Sequence, residues 1–210
     1  YNAFVIGKAY TGGILGGTGK WYMRSYDSMV VHATINGSEY VGGIVGNYNY
    51  NYRNYVEDCR IKGTSNIGGI QGQSGAIGEG IRVMGCTIEG SGDSVGGIVG
   101  NHGNDSIRSA LVADCVVKGN QYVGGAVGGN YANGNVENVW VDPYVMALNT
   151  SKSGVFAGAQ DGTVTQSYVV SKTSGTQGGA TRISSADLQN SETFPTTSQW
   201  DFETIWTYDG

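Results

Sequence analysis

A seven-residue phrase built around Gly-Gly recurs along the chain and constrains the fold more than any other feature. At residues 40–46 it reads Tyr-Val-Gly-Gly-Ile-Val-Gly. The other copies occupy residues 10–16, 66–72, 94–100 and 122–128. Their Gly-Gly pairs start at positions 12, 42, 68, 96 and 124, so successive copies lie 26 to 30 residues apart. Such a period indicates an array of similar, stacked units.

A second phrase, ending in Gly, precedes each Gly-Gly pair. It covers residues 3–7, 33–37, 59–63, 86–90 and 115–119. Two weaker units follow, one with segments 139–143 and 153–158, the other with segments 168–172 and 177–181. The array therefore has about seven units.

Each unit contains two short segments rich in β-branched residues and bounded by Gly and Asn, a pattern typical of strands. A unit of 26–30 residues cannot bury its apolar face alone, but stacked units share a continuous core with strands about 4.8 Å apart. We therefore predict an all-β fold, a β-solenoid over residues 1–182 with about seven rungs, followed by a C-terminal cap over residues 183–210.

The cap is predicted from a change in composition. Residues 184–187 (Ser-Ser-Ala-Asp) resemble a capping box at the start of a short helix, and a dense aromatic cluster follows. Its predicted centre is Trp200, Phe202 and Trp206. A cap would cover the strand edges that a solenoid end exposes. Tyr1 already lies within a repeat, so we expect either a longer native chain or an N-terminal edge that pairs with another molecule.

The paired glycines are predicted to form turns, because Gly adopts positive φ without a Cβ clash and lets backbones approach closely. These turn glycines are Gly12, Gly13, Gly42, Gly43, Gly68, Gly69, Gly96, Gly97, Gly124 and Gly125.

Stacking places equivalent residues of successive units in columns. One inward column is predicted to contain Ala3, Ala33, Cys59, Cys86, Cys115, Val139 and Tyr168, and the next Val5, Ile35, Ile61, Ile88, Val117, Val141 and Val170. An outward column of alternating charge is predicted from Asn36, Lys62, Glu89, Lys118 and Asp142. The three cysteines are predicted to form a buried ladder of free thiols, because free Cys packs as a small hydrophobe. The rung spacing also exceeds the Cβ separation of about 3.8 Å in a disulfide.

The Val-Gly-Gly-Ile-Val-Gly phrase at residues 41–46 and 95–100, with its variants, resembles the GLUG repeat. The segment 194–210 also resembles what commonly follows such repeats. The resemblance implies a bacterial extracellular protein, either an adhesin-like surface protein or the non-catalytic N-terminal region of an immunoglobulin A-cleaving zinc metallopeptidase. Val155 and Arg182 replace glycines that the repeat would carry, and the peptidases' zinc motif is absent from this sequence.

The sequence contains few residues that suit a catalytic site. Its only histidines are His32 and His102, and one cysteine per unit does not suit a zinc site. Asp58 and Asp114 hold equivalent positions two units apart, a separation of about 9.6 Å. We interpret them as surface acids rather than as a glycosidase pair. The prediction is a protein without enzymatic activity, cofactor or metal.

Composition argues against two kinds of partner. The net charge is −5 and the 12 Lys and Arg residues are scattered singly, which argues against nucleic acid. No apolar run reaches the roughly 18 residues of a membrane span. Low charge with many Asn, Ser, Thr and Tyr residues favours a secreted or cell-surface location.

Residues 47–55 (Asn-Tyr-Asn-Tyr-Asn-Tyr-Arg-Asn-Tyr) are predicted to be a polar, aromatic loop and the best candidate for contact with a partner. Tyrosine supplies rigid amphipathic area and asparagine adaptable hydrogen bonds, a mixture found in binding loops. The predicted binding residues are Tyr48, Tyr50, Tyr52, Arg53 and Tyr55. The alternative is a solvated loop that covers its neighbours.

Three functions remain open at this point. The first is a structural or adhesive surface module with a host glycoprotein or glycan as partner. The second is an accessory region of a secreted zinc metallopeptidase. The third is a filament subunit that joins end to end through the N-terminal edge.

Overall fold

A computed structural model describes residues 3–17, 23–73, 75–131, 133–170 and 175–184. These ranges contain strands and one 3₁₀ turn, η1 (Thr150–Lys152). The strands are β1 (Phe4–Ile6), β2 (Thr11–Gly12), β3 (Leu15–Gly17), β4 (Met23–Tyr26), β5 (Met29–Val31), β6 (Thr34–Asn36), β7 (Glu39–Gly42), β8 (Val45–Asn47), β9 (Asn49–Tyr52), β10 (Tyr55–Glu57), β11 (Arg60–Gly63), β12 (Ser65–Gly68), β13 (Gln71–Gln73), β14 (Ile81–Met84), β15 (Thr87–Gly90), β16 (Val95–Gly96), β17 (Val99–His102), β18 (Ser106–Gly119), β19 (Val123–Gly124), β20 (Val127–Asn130), β21 (Asn135–Ala147), β22 (Ser153–Gly154), β23 (Ala157–Gln160), β24 (Thr163–Thr165), β25 (Tyr168–Val169) and β26 (Thr181–Arg182).

Each coil of the chain passes through five stacks of parallel strands. Stack 1 holds β4, β9, the starts of β18 and β21, and β24. Stack 2 holds β5, β10, β14, the middles of β18 and β21, β25 and β26. Stack 3 holds β1, β6, β11, β15 and the ends of β18 and β21. Stack 4 runs β2-β7-β12-β16-β19-β22, and stack 5 runs β3-β8-β13-β17-β20-β23.

The predicted β-solenoid is therefore confirmed, with about six coils. A coil has five strand segments where the sequence pattern predicted two. Within the described ranges, the last predicted unit contains β25, β26 and a bridge between Gly154 and Thr176.

The interior consists of apolar columns, because alternate residues of each strand point inward. In stack 3 the column is Val5, Ile35, Ile61, Ile88, Val117 and Val145. In stack 2 it is Val30, Val56, Val83, Val112, Val141 and Val169. Each fully buried Val or Ile contributes about 1.5–3 kcal/mol, so the coils hold one another in register.

The predicted columns are wrong in the last two coils. Val141 lies beside Val112 in stack 2, and Val145 takes the predicted place of Val141 beside Val117. Val139 and Tyr168 also belong to stack 2, where they lie beside Ala110 and Trp140. In the charged column Met146, rather than Asp142, follows Lys118. The cause lies in β21, which has one residue, Pro143, where β18 has Asp114 and Cys115, and which has Ala147 in place of the glycine that ends the repeat phrase in β18.

The prediction that the paired glycines supply positive φ is also wrong. The left-handed residue of this corner lies two positions before each pair instead, at Tyr10, Tyr40, Asn66, Ser94 and Tyr122. Among the described glycines only Gly80, Gly85, Gly178 and Gly179 have positive φ.

Close backbone approach, the second predicted role of glycine, explains the pairs. A Cβ atom on Gly42 would overlap the carbonyl oxygens of Val45 and of Ile70 in the next coil. A Cβ atom on Gly46 would overlap the backbone of Tyr10 in the preceding coil. Stacks 4 and 5 therefore pack backbone against backbone. The predicted cap residues Trp200, Phe202 and Trp206 lie outside the described residues.

Candidate functional site

The segment 47–55 is not a loop. It forms the end of β8, all of β9 and the start of β10, with a left-handed corner at Tyr48. Because side chains alternate along a strand, the asparagines point inward and the tyrosines outward. Asn49 and Asn51 are fully buried, whereas Tyr48 is 41% exposed and Tyr50 is half-buried.

Two of the inward asparagines, Asn51 and Asn54, belong to a buried network of polar side chains, whereas the buried side-chain amide of Asn49 has no hydrogen-bond partner among the described residues. Asn51 Nδ2 donates to Gln71 Oε1 at 2.5 Å, and Asn54 Nδ2 donates to Asn51 Oδ1 and to Ser25 Oγ, both at 3.0 Å. Gln71 occupies the inward position that Val45 and Val99 hold in the neighbouring coils. The bonds between these side chains offset the cost of burying polar groups, which is why a polar segment fits inside the solenoid.

The outward tyrosines of β9 stack along the solenoid axis. The rings of Tyr26 and Tyr52 lie 5.1 Å apart with planes at 14°, and Tyr52 covers Gly78, where a Cβ atom would overlap the ring. The guanidinium carbon of Arg24 lies 5.8 Å from the centre of the Tyr50 ring. The Tyr52 ring therefore lies between the Tyr26 ring and the backbone of Gly78.

The five predicted binding residues do not form one surface. Arg53 occupies the next corner, where it binds both carboxylate oxygens of Asp27 at 2.6 and 2.9 Å. This hydrogen bonding keeps the pKa of Asp27 below its usual value. Tyr55 lies in stack 2, on a different face, and burial together with Glu57 raises its pKa to about 12.

A second set of tyrosines lines the left-handed corner before stack 4. This corner column contains Tyr10, Tyr40, Asn66, Ser94, Tyr122 and Lys152. The rings of Tyr10 and Tyr40 lie 5.0 Å apart with planes at 8°, and Lys152 Nζ lies 5.5 Å from the centre of the Tyr122 ring. The sequence analysis missed these residues as a surface, although they are the first position of every repeat phrase.

The three cysteines form one buried column at the corner between stacks 2 and 3. Cys86 Sγ accepts the backbone N–H of Cys59, and Cys115 Sγ accepts that of Cys86, each at 3.4 Å. All three thiols are free. Hydrogen bonding to Cys115 and burial raise the pKa of Cys86 to about 12. Such thiols act as packing groups rather than nucleophiles.

The two histidines lie in different environments, one exposed and one buried. His32 Nδ1 is 3.7 Å from Asp58 Oδ2 at an exposed corner, beside an open depression of about 440 Å³ that Phe4 and Arg60 also line. His102 is fully buried, and loss of hydration lowers its pKa. In the described residues no group of three or more His, Cys, Asp or Glu side chains could hold a metal ion. The same part of the chain contains no helix with the length and hydropathy of a membrane span.

Comparisons with known proteins leave the family open. No protein-family model matches the chain, and neither a curated protein nor a solved structure matches it significantly. The resemblance to GLUG repeats stays a prediction from the motif.

Proposed function

We propose that the chain is a non-catalytic structural and adhesive module of a bacterial extracellular surface protein, a rigid β-solenoid that presents tyrosines to a host or glycan partner. The observation that supports this most is the stacking of Tyr26 on Tyr52 and of Tyr10 on Tyr40 along the axis. Rings held this way lose little conformational entropy when a partner binds. The GLUG-like phrase supports the extracellular setting.

The experiment is a binding measurement with the whole chain immobilised, using a glycan array and epithelial cell surfaces as probes. Saturable binding is expected, and the bound glycans and peptides should be recovered intact. Release of reducing sugars or peptide fragments above that of a heat-denatured sample would contradict a non-catalytic role.

A second candidate function, end-to-end association, is favoured by the exposed apolar residues of the first coil. Ile14 is 46% exposed, whereas Ile44 at the equivalent position of the next coil is fully buried. Phe4 and Ile6 in the edge strand β1 are also exposed. An edge of this kind pairs readily with another strand.

Light scattering tests this association. The wild-type chain is expected to form larger species as its concentration rises, and Ile6→Lys is expected to stay monomeric. The matched control is Leu148→Lys, which changes an apolar residue that is even more exposed and lies far from that edge. A monomeric wild-type chain at high concentration would exclude the association.

A further inference from the structure

The corner column before stack 4 contains a gap between two tyrosines. Tyr40 is stacked on Tyr10, and Lys152 covers one side of Tyr122. Between Tyr40 and Tyr122 lie two coils whose corner residues are Asn66 and Ser94. The sides of the two tyrosine rings that point away from Tyr10 and from Lys152 therefore face each other across the gap, which we call the corner notch.

The dimensions of the corner notch follow from the strand spacing. Tyr40 and Tyr122 are three coils apart, which is about 14 Å at 4.8 Å per coil. A flat group in van der Waals contact with each ring would lie roughly 3.5–4 Å from it, so two such groups fit with space between them. Asn66 and Ser94 carry shorter side chains than tyrosine, so neither extends as far from the corner as the tyrosine rings do.

Polar groups line one side of the corner notch. The residues that precede Asn66, Ser94 and Tyr122 are Ser65, Asp93 and Gln121. Asp93 accepts hydrogen bonds from Gln121 Nε2 at 2.7 Å and from Asn120 Nδ2 at 3.2 Å. Its backbone N–H donates to Ser65 Oγ at 3.2 Å. A carboxylate has about four acceptor sites, so Asp93 retains capacity to accept hydrogen bonds from hydroxyl groups.

We infer that the corner notch binds a neutral oligosaccharide, with one pyranose ring on Tyr40 and another on Tyr122. The apolar face of a pyranose packs on an aromatic ring, while its equatorial hydroxyl groups meet Asp93 and the neighbouring amides. The carboxylate and the chain's net charge of −5 disfavour anionic ligands such as nucleic acids. This inference rests on the proposed binding function and names its site and ligand class.

The test uses the full chain, isothermal titration calorimetry and soluble hexasaccharides of glucose, N-acetylglucosamine, mannose and galactose. At least one hexasaccharide is expected to bind, and Tyr122→Ala is expected to raise its Kd about tenfold or more, since a tenfold change is about 1.4 kcal/mol. Asn66→Tyr is expected to abolish binding while the protein stays folded, because the column already carries Tyr at left-handed corners and the new ring would fill the notch.

The matched control is Tyr144→Ala, which removes an exposed tyrosine on stack 3 and should leave the Kd unchanged. Binding that is retained in Asn66→Tyr but lost when Tyr50 of stack 1 is changed to Ala would overturn the corner notch while leaving the proposed adhesive function intact. Failure of all four hexasaccharides to bind would also overturn the notch, whereas binding of the chain to cell surfaces would show that the adhesive function survives.

Discussion

A Cβ atom on Gly42 would overlap the carbonyl oxygen of Val45, three residues further along the same coil. Stack 4 and stack 5 meet so closely at this corner that their backbones leave no space for a side chain. The same relationship recurs between Gly68 and Gln71, Gly96 and Val99, and Gly124 and Val127. Close contact between the backbones of stacks 4 and 5 therefore explains why the repeat phrase carries glycine at these positions.

This contact predicts a large cost for the smallest side chain. Gly42→Ala is expected to lower the free energy of unfolding by about 3 kcal/mol or more, because backbone atoms on two coils would have to move. Urea denaturation measures the effect. The matched control is Gly175→Ala, where the new Cβ would lie 3.2 Å from Val155 Cγ1 and the cost should be small. Equal midpoints for the two variants would contradict the explanation.

The stacking of Tyr26 on Tyr52 predicts a measurable coupling between the two residues. In a double-mutant cycle with alanine at each position, the interaction is expected to contribute about 0.5–1.5 kcal/mol to the free energy of unfolding. Tyr26 and Tyr40 lie in different columns and provide the control cycle, in which the coupling should be near zero. A coupling near zero for the first pair would show that the stack does not stabilise the fold.

The sequence was sufficient to predict the solenoid, because the Gly-Gly phrase follows an apolar segment at an offset of 9 or 10 residues in all five copies. The sequence was not sufficient to assign residues to columns in the later coils, where that spacing is lost. In β21 the single residue Pro143 replaces two corner residues of β18, and Ala147 replaces the phrase-ending Gly119, so Val141 was assigned to the wrong column. Of the two predicted roles of the paired glycines, close backbone approach is correct and positive φ is wrong. Part of the contacting backbone belongs to the neighbouring coil, so the sequence of one repeat does not reveal it.

The candidate site was predicted less well. Asn and Tyr alternate with a period of two in residues 47–52, which is itself a strand pattern, but their polarity suggested a loop. The partner that makes buried asparagines acceptable, Gln71, lies 20 residues from Asn51. Local composition could not supply this contact. Tyrosine is the first residue of three of the five repeat phrases, yet only the stacking of coils brings Tyr10 onto Tyr40.

The buried cysteines are expected to react slowly with thiol reagents. Cys86 has a pKa of about 12, raised first by its hydrogen bond with Cys115, so its thiolate is scarce at neutral pH. Native protein at pH 8 is expected to react with Ellman's reagent only as fast as it unfolds. In guanidinium chloride all three thiols should react at once. Rapid reaction of the native protein would show that this column opens readily.

The burial of His102 predicts loss of stability in mild acid. The folded protein holds this imidazole neutral, because burial lowers its pKa, while the unfolded chain binds a proton near the ordinary pKa of about 6.5. Below that pH the unfolded state therefore binds more protons, and the free energy of unfolding is expected to fall by up to about 1.4 kcal/mol per pH unit.

His102→Asn, which copies Asn130 at the adjacent position of the same column, should flatten this dependence. The control His32→Asn retains His102 and should keep the steep slope between pH 6.5 and pH 5. Urea titrations at each pH measure the slopes, and identical slopes in the two variants would show that another group controls the acid sensitivity.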